Sequence, residues 1–153
     1  MADTDFSAPP MPEDRFFRAA EMAGVVDGDT IDVVIDVGWS MKLHERLRLE
    51  FVNTPEKKGA EREAGLWVTE KVKEWLPLGT PLRLASTAYD RTGSARGKFG
   101  RTIALVYHEA EGWCLNERLI NDKLAWRTTE KGSIIGDRSL ALLTGLPAEL
   151  RGG

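Results

Sequence analysis

Three short polar clusters in the sequence combine carboxylates with arginines. They are Asp27-Gly28-Asp29-Thr30, then Arg48 with Asn53-Thr54-Pro55-Glu56, and then Lys98-Phe99-Gly100-Arg101-Thr102. A carboxylate is a hard oxygen ligand that suits Ca²⁺. A guanidinium can bond two phosphate oxygens at once and stays charged at any working pH. Together the clusters hold the residue types that handle a phosphate group beside a metal ion.

Each cluster taken alone also has a structural explanation. Asp-Gly-Asp is typical of a turn in which the central Gly28 takes a positive φ. Thr54-Pro55 is typical of a helix start, with the threonine as cap and the proline at the first position. Phe-Gly-Arg is a common loop end. The order and spacing of all three clusters, rather than any one of them, favour a functional interpretation.

The pattern of apolar residues predicts the elements that position these clusters. Strict alternation from Leu43 to Phe51 indicates a half-buried strand whose charged residues, Arg46, Arg48 and Glu50, share one face. Composition and turn signals predict the other strands over Ala20–Val26, Thr30–Val37, Pro81–Ala88 and Thr102–Tyr107. Helical spacing predicts helices over Ala60–Leu76 and Leu115–Trp126 and a shorter one over Ser139–Leu143.

Five short strands with a helix between the third and the fourth predict a Greek-key OB-fold barrel with two to three helices, of the mainly β, α+β class. The 153 residues fit one domain with one hydrophobic core. We expect residues 1–14 to be a flexible tail, residues 15–145 to be the OB-fold domain, and residues 146–153 to be a frayed C-terminal tail.

Charge and composition narrow the classes of function. The net charge is −3, but residues 41–101 hold 13 Lys and Arg against 8 Asp and Glu, so the middle of the chain can face a phosphate backbone. No stretch is apolar enough to span a bilayer, and the single Cys114 excludes an intramolecular disulfide. The polar N-terminus does not read as a signal peptide, so we expect a cytoplasmic protein, with secretion after removal of a leader as the alternative.

In order and approximate spacing, this set of motifs resembles the staphylococcal nuclease family over roughly Gly24 to Trp126. The residues that carry the resemblance are the Asp27–Thr30 turn, the strand and turn from Arg48 to Glu56, the Phe99–Ala104 strand opening, and the helix that begins at Asn116 and runs towards Leu124-Ala125-Trp126.

The resemblance implies a metal-dependent endonuclease with the following site residues. The cation would be Ca²⁺, with Mg²⁺ or Mn²⁺ possible, held by Asp29, Asn53 and the backbone carbonyl of Thr54. Arg48 and Arg101 would grip the phosphate, and Glu56 would orient or deprotonate the attacking water. Substrate binding would fall to Arg96, Lys98 and Phe99.

The same resemblance implies the substrate and the products. The substrate would be DNA or RNA, single-stranded or denatured, cut by in-line attack of water to leave 3′-phosphate ends. The protein would be a monomer that does not associate with membranes.

Asn53 and Phe99 are among the positions that depart from the family's pattern, and two other functions stay open. Asn53 stands where an aspartate is expected, so Asn53→Asp should tighten Ca²⁺ binding, and Phe99 replaces a tyrosine. One alternative is a catalytically inactive OB-fold module that binds nucleic acid or protein, and another is an accessory protein of a mobile element. The presence of Asp29, Arg48, Glu56 and Arg101 favours the enzyme over the inactive module.

Overall fold

A computed structural model of the protein describes residues 6–8, 15–87, 102–129 and 132–152. Its strands in chain order are β1 (Arg15–Asp27), β2 (Thr30–Gly38), β3 (Met41–Leu49), β4 (Val52–Asn53), β5 (Pro81–Thr87), β6 (Thr102–His108) and β7 (Trp126–Arg127). Its α-helices are α1 (Arg62–Trp75) and α2 (Leu115–Asn121). Short 3-10 helices cover Gly59–Glu61, Leu140–Leu142 and Ala148–Leu150.

Five strands close into a barrel in the order β1-β2-β3-β6-β5. Neighbouring strands are antiparallel except β3 and β6, which run parallel, and β1 closes the barrel by pairing with β5. The fold class predicted from the sequence is therefore confirmed: an α+β, OB-fold-like barrel with two α-helices. The two short strands β4 and β7 form a separate antiparallel ribbon.

Alternation along the strands fills the barrel with apolar side chains. Leu47 and Leu49 of β3 point inward and are almost fully buried, as is Ile31 of β2. Helix α1 adds Val68 and Val72 to the same core. Burying such side chains stabilises the fold by about 1.5–3 kcal/mol each. The barrel is therefore a packed scaffold rather than a container, and chemistry must occur on its surface.

The third strand begins and ends two residues earlier than the alternation predicted. It ends at Leu49, and Phe51 takes a positive φ of 68°, so the chain turns where the pattern continued. Glu50 is buried in this turn, and its carbonyl accepts a hydrogen bond from Asn116 Nδ2 (2.8 Å). Glu50 therefore does not continue the strand face that Arg46 and Arg48 share, which corrects the prediction from strand parity.

The predicted second helix also ends early. Helix α2 stops at Asn121, and the chain then turns through Lys123, whose φ is 58°. Trp126 lies in β7, where it pairs with Asn53. This pairing joins residues far apart in sequence, so no local sequence pattern predicts it. Among the described residues, no helix has the length and apolar character needed to cross a membrane.

Packing reaches both of the segments predicted to be tails. Phe6 is buried against Phe51, and its backbone N–H donates to Asn121 Oδ1 (2.6 Å). At the other end, Leu146 is buried and accepts a hydrogen bond at its carbonyl from Arg151 Nε (3.1 Å). The described residues 6–8 and 146–152 are thus in contact with the domain.

Asn116 joins α2 to the barrel and yields a prediction about stability. Its side chain is fully buried, donates to the carbonyls of Glu50 and Ala104 (2.8 and 3.1 Å) and accepts from the Val106 N–H (3.0 Å). Asn116→Ala leaves these buried backbone groups unpaired, so the free energy of unfolding should fall by about 2–4 kcal/mol in a denaturant titration. Asn121→Ala, at a half-buried position, should cost less. Equal effects would contradict this role.

Candidate functional site

The carboxylate of Asp29 joins three parts of the barrel at one point. It lies in the turn between β1 and β2, and its Oδ2 accepts from Arg48 Nη1 on β3 (2.7 Å) and from the backbone N–H of Thr54 after β4 (2.9 Å). Its Oδ1 accepts from Thr30 Oγ1 (3.1 Å). Three residues that the sequence analysis placed in the site are therefore brought into direct contact.

Arg48 reaches Asp29 because Arg48 and Thr30 are direct partners in the β2–β3 ladder. Its guanidinium contacts Asp29 through Nη1 alone, which also lies 3.4 Å from the Asp29 carbonyl oxygen. Two residues along the same strand, Arg46 forms an exposed bidentate pair with Asp32 (2.8 and 3.1 Å). Arg46 is paired with Asp32 and takes no part in the contacts at Asp29.

Position 28 needs a glycine because there is no room for a side chain, not because of its backbone conformation. Its φ is not in the positive range that the turn interpretation expected. A Cβ at this position would lie 2.7 Å from a methyl group of Val68 on α1 and 2.8–2.9 Å from the Thr54 side chain. The turn is therefore pressed against both α1 and the Thr54 segment, which holds Asp29 at its contacts.

Two neighbouring aspartates share one region of buried charge. Burial raises the pKa of Asp27 to about 7, and the hydrogen bond and negative charge of Asp29 act in the same direction. Burial would also raise the pKa of Asp29. The charge of Arg48, together with hydrogen bonds from Asp27 and from the Thr54 N–H, instead holds the pKa of Asp29 below its usual range. Near neutral pH, Asp29 is thus the anionic member and Asp27 is partly protonated.

Asn53 has an arginine partner that the sequence analysis missed. Its Oδ1 accepts from Arg138 Nη1 (2.6 Å), and Arg138 also forms a bidentate ion pair with Glu61. Arg138 is 85 residues from Asn53, in the segment after Gly132 for which the sequence indicated no function. No local pattern could have revealed this contact, because it depends on where the C-terminal segment packs.

Glu56 lies at the exposed edge of the same cluster. Its backbone N–H donates to Glu61 Oε1 (2.9 Å), whereas its own carboxylate is exposed and has no hydrogen bond or ion pair with any residue that the structure describes. The carboxylate is therefore open to water and to a ligand, two residues beyond the buried Thr54. Arg96, Lys98, Phe99 and Arg101, the remaining predicted site residues, lie outside the described residues and stay predictions.

The oxygen atoms around Asp29 fit a hard divalent cation in chemical type. The carboxylate, the Asn53 carboxamide and the Thr54 carbonyl are all ligands that Ca²⁺ accepts. Thr54 Oγ1 is buried beside them without a hydrogen-bond partner among the described residues. The charge fits less well, since Arg48 already neutralises Asp29, and no group of three or more His, Cys, Asp or Glu side chains in the described part is placed to hold a metal.

Comparison with known proteins adds no family assignment. The sequence matches no protein-family model, and no curated protein matches it. The function must therefore be argued from the cluster itself.

The two aspartates predict a pH dependence of stability. Asp27 keeps its proton to about pH 7 in the folded protein but ionises near its ordinary 3.8 when unfolded, so the folded state binds more protons between these values. This contribution to stability therefore decreases as pH rises from about 4 to about 7. Asp27→Asn should remove it, so that the variant gains stability relative to the wild type as pH rises through that window in denaturant titrations.

The matched control is Asp36→Asn. Asp36 accepts a hydrogen bond from the backbone N–H of Gly38, two residues further along the chain (2.8 Å), but it is exposed. This variant removes one exposed carboxylate and so controls for the loss of a negative charge. Asp29 affects stability at acid pH. Because its pKa is lowered in the folded protein, its stabilising contribution is lost as the pH falls through that lowered pKa. Parallel profiles for Asp27→Asn and the wild type would show that Asp27 is not perturbed.

Proposed function

We propose that this chain hydrolyses phosphodiester bonds of DNA or RNA, as members of the staphylococcal nuclease family do, with single-stranded or denatured nucleic acid as its substrate. The observation that carries the proposal is the shared contact at Asp29. Its carboxylate contacts both Arg48 and the backbone N–H of Thr54. The exposed Glu56 follows Thr54 by two residues in the sequence. Hydrolysis of a phosphodiester needs a cationic grip on phosphate and a base near water, and this cluster offers both.

Arg48 is suited to bind the phosphate that is attacked. Only its Nη1 is used by Asp29, and its Nε and Nη2 make no hydrogen bond to any described residue. The side chain is 22% exposed, so part of it is accessible to a ligand. It would bond the non-bridging oxygens and neutralise the charge that grows on them as phosphorus becomes five-coordinate.

Glu56 is suited to act on the attacking water. Its carboxylate is exposed and free of partners in the described part, while its backbone is tied to Glu61. A carboxylate in this position would orient a water molecule for in-line attack on phosphorus and accept its proton. The bond from phosphorus to the 5′ oxygen would break, the 5′ oxygen would leave as a hydroxyl with a proton from solvent, and the phosphate would stay on the 3′ end. The backbone contact would limit the movement of Glu56 during that step.

A divalent cation completes the proposal. Asp29, Asn53 and the Thr54 carbonyl would hold it, with Ca²⁺ the first candidate and Mg²⁺ or Mn²⁺ the alternatives. When bound, it would supply Lewis-acid charge and a template for the phosphate. Because Asn53 is neutral and Arg48 pairs with Asp29, we expect the affinity for the cation to be low. Arg101 as the second phosphate-binding arginine, and Arg96, Lys98 and Phe99 as substrate contacts, belong to the same proposal.

One observation favours a second function, an OB-fold module that binds nucleic acid or protein without cutting it. The Arg48–Asp29 pair already satisfies Nη1 of the arginine and most of the aspartate, as an ion pair with only a structural role would. Such a module would need no free carboxylate at position 56. Cleavage assays separate the two functions directly.

The first test compares two arginines on the same strand. Wild-type protein should cut denatured DNA in Ca²⁺ and not in a chelator. Arg48→Lys keeps a positive charge beside Asp29 but loses the fork, so kcat/KM should fall by about 10²–10³-fold. Arg46→Lys, in the exposed pair with Asp32, should stay near wild type. DNA that stays intact with Ca²⁺, Mg²⁺ and Mn²⁺ would support the binding module instead.

The second test concerns the base. Glu56→Gln keeps the size of the side chain and the backbone contact with Glu61 but cannot accept a proton, so kcat should fall by about 10²–10⁴-fold with little change in stability. Glu63→Gln, at an exposed position near the start of α1, is the matched control. If Glu56→Gln cuts at the wild-type rate, another group must activate the water.

A further inference from the structure

The segment after Gly132 returns to the candidate site through Arg138. The Nη1 of Arg138 donates to Asn53 Oδ1 (2.6 Å), its Nε to Glu61 Oε2 (3.0 Å) and its Nη2 to Glu61 Oε1 (2.6 Å). Each guanidinium nitrogen is thus engaged by Asn53 or Glu61. The pair is also shielded, since the side chains of Arg138 and Glu61 are only 30% and 21% exposed.

A buried tryptophan sets the orientation of this guanidinium. The central carbon of the Arg138 guanidinium lies 4.3 Å from the centre of the Trp126 ring, and Trp126 is 4% exposed. The Trp126 Nε1–H donates to the carbonyl of Ser139, the residue after Arg138 (3.1 Å). The ring therefore supports the arginine by a cation–π contact and anchors the neighbouring backbone.

Glu61 links Arg138 to the backbone of Glu56. The Glu61 Oε1 that accepts from Arg138 also accepts the backbone N–H of Glu56 (2.9 Å). On the other side, a Cβ at Gly65 would stand 2.2 Å from the Glu56 carbonyl oxygen, so the backbone of Glu56 packs directly on α1. The segment 53–56 is held at its first residue by Arg138 and at its last by Glu61 and α1.

We infer that Arg138 is a positioning residue that braces segment 53–56. Asn53 then serves as the acceptor for Arg138 in this brace, which removes it from the cation ligands of the proposed function and leaves Asp29 and the Thr54 carbonyl. The catalytic part of the inference rests on the proposed function, because Glu56 is the group that the brace would place. A second cation on the same Asn53 oxygen would stand beside the charge of Arg138. A neutral amide, which accepts from the arginine without attracting a metal ion, suits this position.

The first experiment measures the brace without relying on activity. Amide hydrogen exchange at Glu56, followed by NMR, should be about tenfold faster in Arg138→Ala than in the wild type, because the acceptor Glu61 loses its anchor. The matched control is Arg83→Ala, which removes a similar bidentate pair with Glu109 (3.1 and 3.2 Å) on the barrel surface. It should leave Glu56 unchanged. Wild-type exchange at Glu56 in Arg138→Ala would overturn the inference.

Arg138→Lys keeps the experiment decisive if the alanine variant unfolds. Lysine retains the charge over Trp126 but cannot bridge Asn53 and both oxygens of Glu61, so exchange at Glu56 should still increase. In cleavage assays both variants should lower kcat by on the order of 10–100-fold and leave KM nearly unchanged, as expected for a misplaced group. If the wild type does not cut, the proposed function fails, while the exchange data still decide whether the brace exists.

The second experiment tests the role of Asn53. Asn53→Asp should form an ion pair with Arg138 and raise the melting temperature. In contrast to the expectation from the resemblance, Ca²⁺ affinity by calorimetry should stay within about twofold of the wild type. In the Arg138→Ala background the same change should give no such stabilisation. Asn53→Asp that tightens Ca²⁺ binding tenfold or more while Arg138 is present would identify Asn53 as a cation ligand and overturn this part of the inference.

Discussion

The ionised carboxylate of Asp29 is the interaction on which the site depends. A charge buried to this extent is costly unless it is paired and hydrogen-bonded. Arg48 and the Thr54 N–H meet that need from two different parts of the chain. The turn between β1 and β2, the end of β3 and the segment after β4 are therefore fixed to one another by the same oxygen atoms. The contacts that fix these three segments to one another are the same contacts that assemble the candidate site.

This constraint also shapes the chemistry that is available. Arg48 must neutralise Asp29 and, in the proposed reaction, also bind phosphate, and it can do both because the ion pair uses only one of its nitrogens. Asp29 and Thr54 are buried and Arg48 is half-buried, whereas Glu56 is exposed and its backbone N–H is bonded to Glu61. The arrangement separates a fixed cationic grip from an accessible carboxylate, which is how a phosphodiesterase would divide these tasks.

Sequence reasoning succeeded where the controlling interactions are local or patterned. Alternation through β3 predicted the burial of Leu47 and Leu49. The resemblance placed Asp29, Arg48 and Thr54 in one site, and the structure brings these three residues into contact. Sequence reasoning failed where distant segments decide the outcome. Strand β3 ends early because of a turn at Glu50 that Asn116 supports, and Trp126 leaves the predicted helix to pair with Asn53. Arg138 was missed for the same reason, since a contact across 85 residues leaves no periodic signal.

We propose that this cluster directs water to phosphorus. The most direct test is whether an oxygen atom from the solvent enters the product. A short single-stranded DNA oligonucleotide would be incubated with the protein and Ca²⁺ in water enriched in ¹⁸O, and the products weighed by mass spectrometry. Hydrolysis at this site predicts one solvent oxygen in each newly formed phosphate, and that phosphate on the 3′ end of the fragment upstream of the cut. An oligonucleotide that remains intact with Ca²⁺, Mg²⁺ and Mn²⁺, or products without solvent oxygen, would contradict the claim.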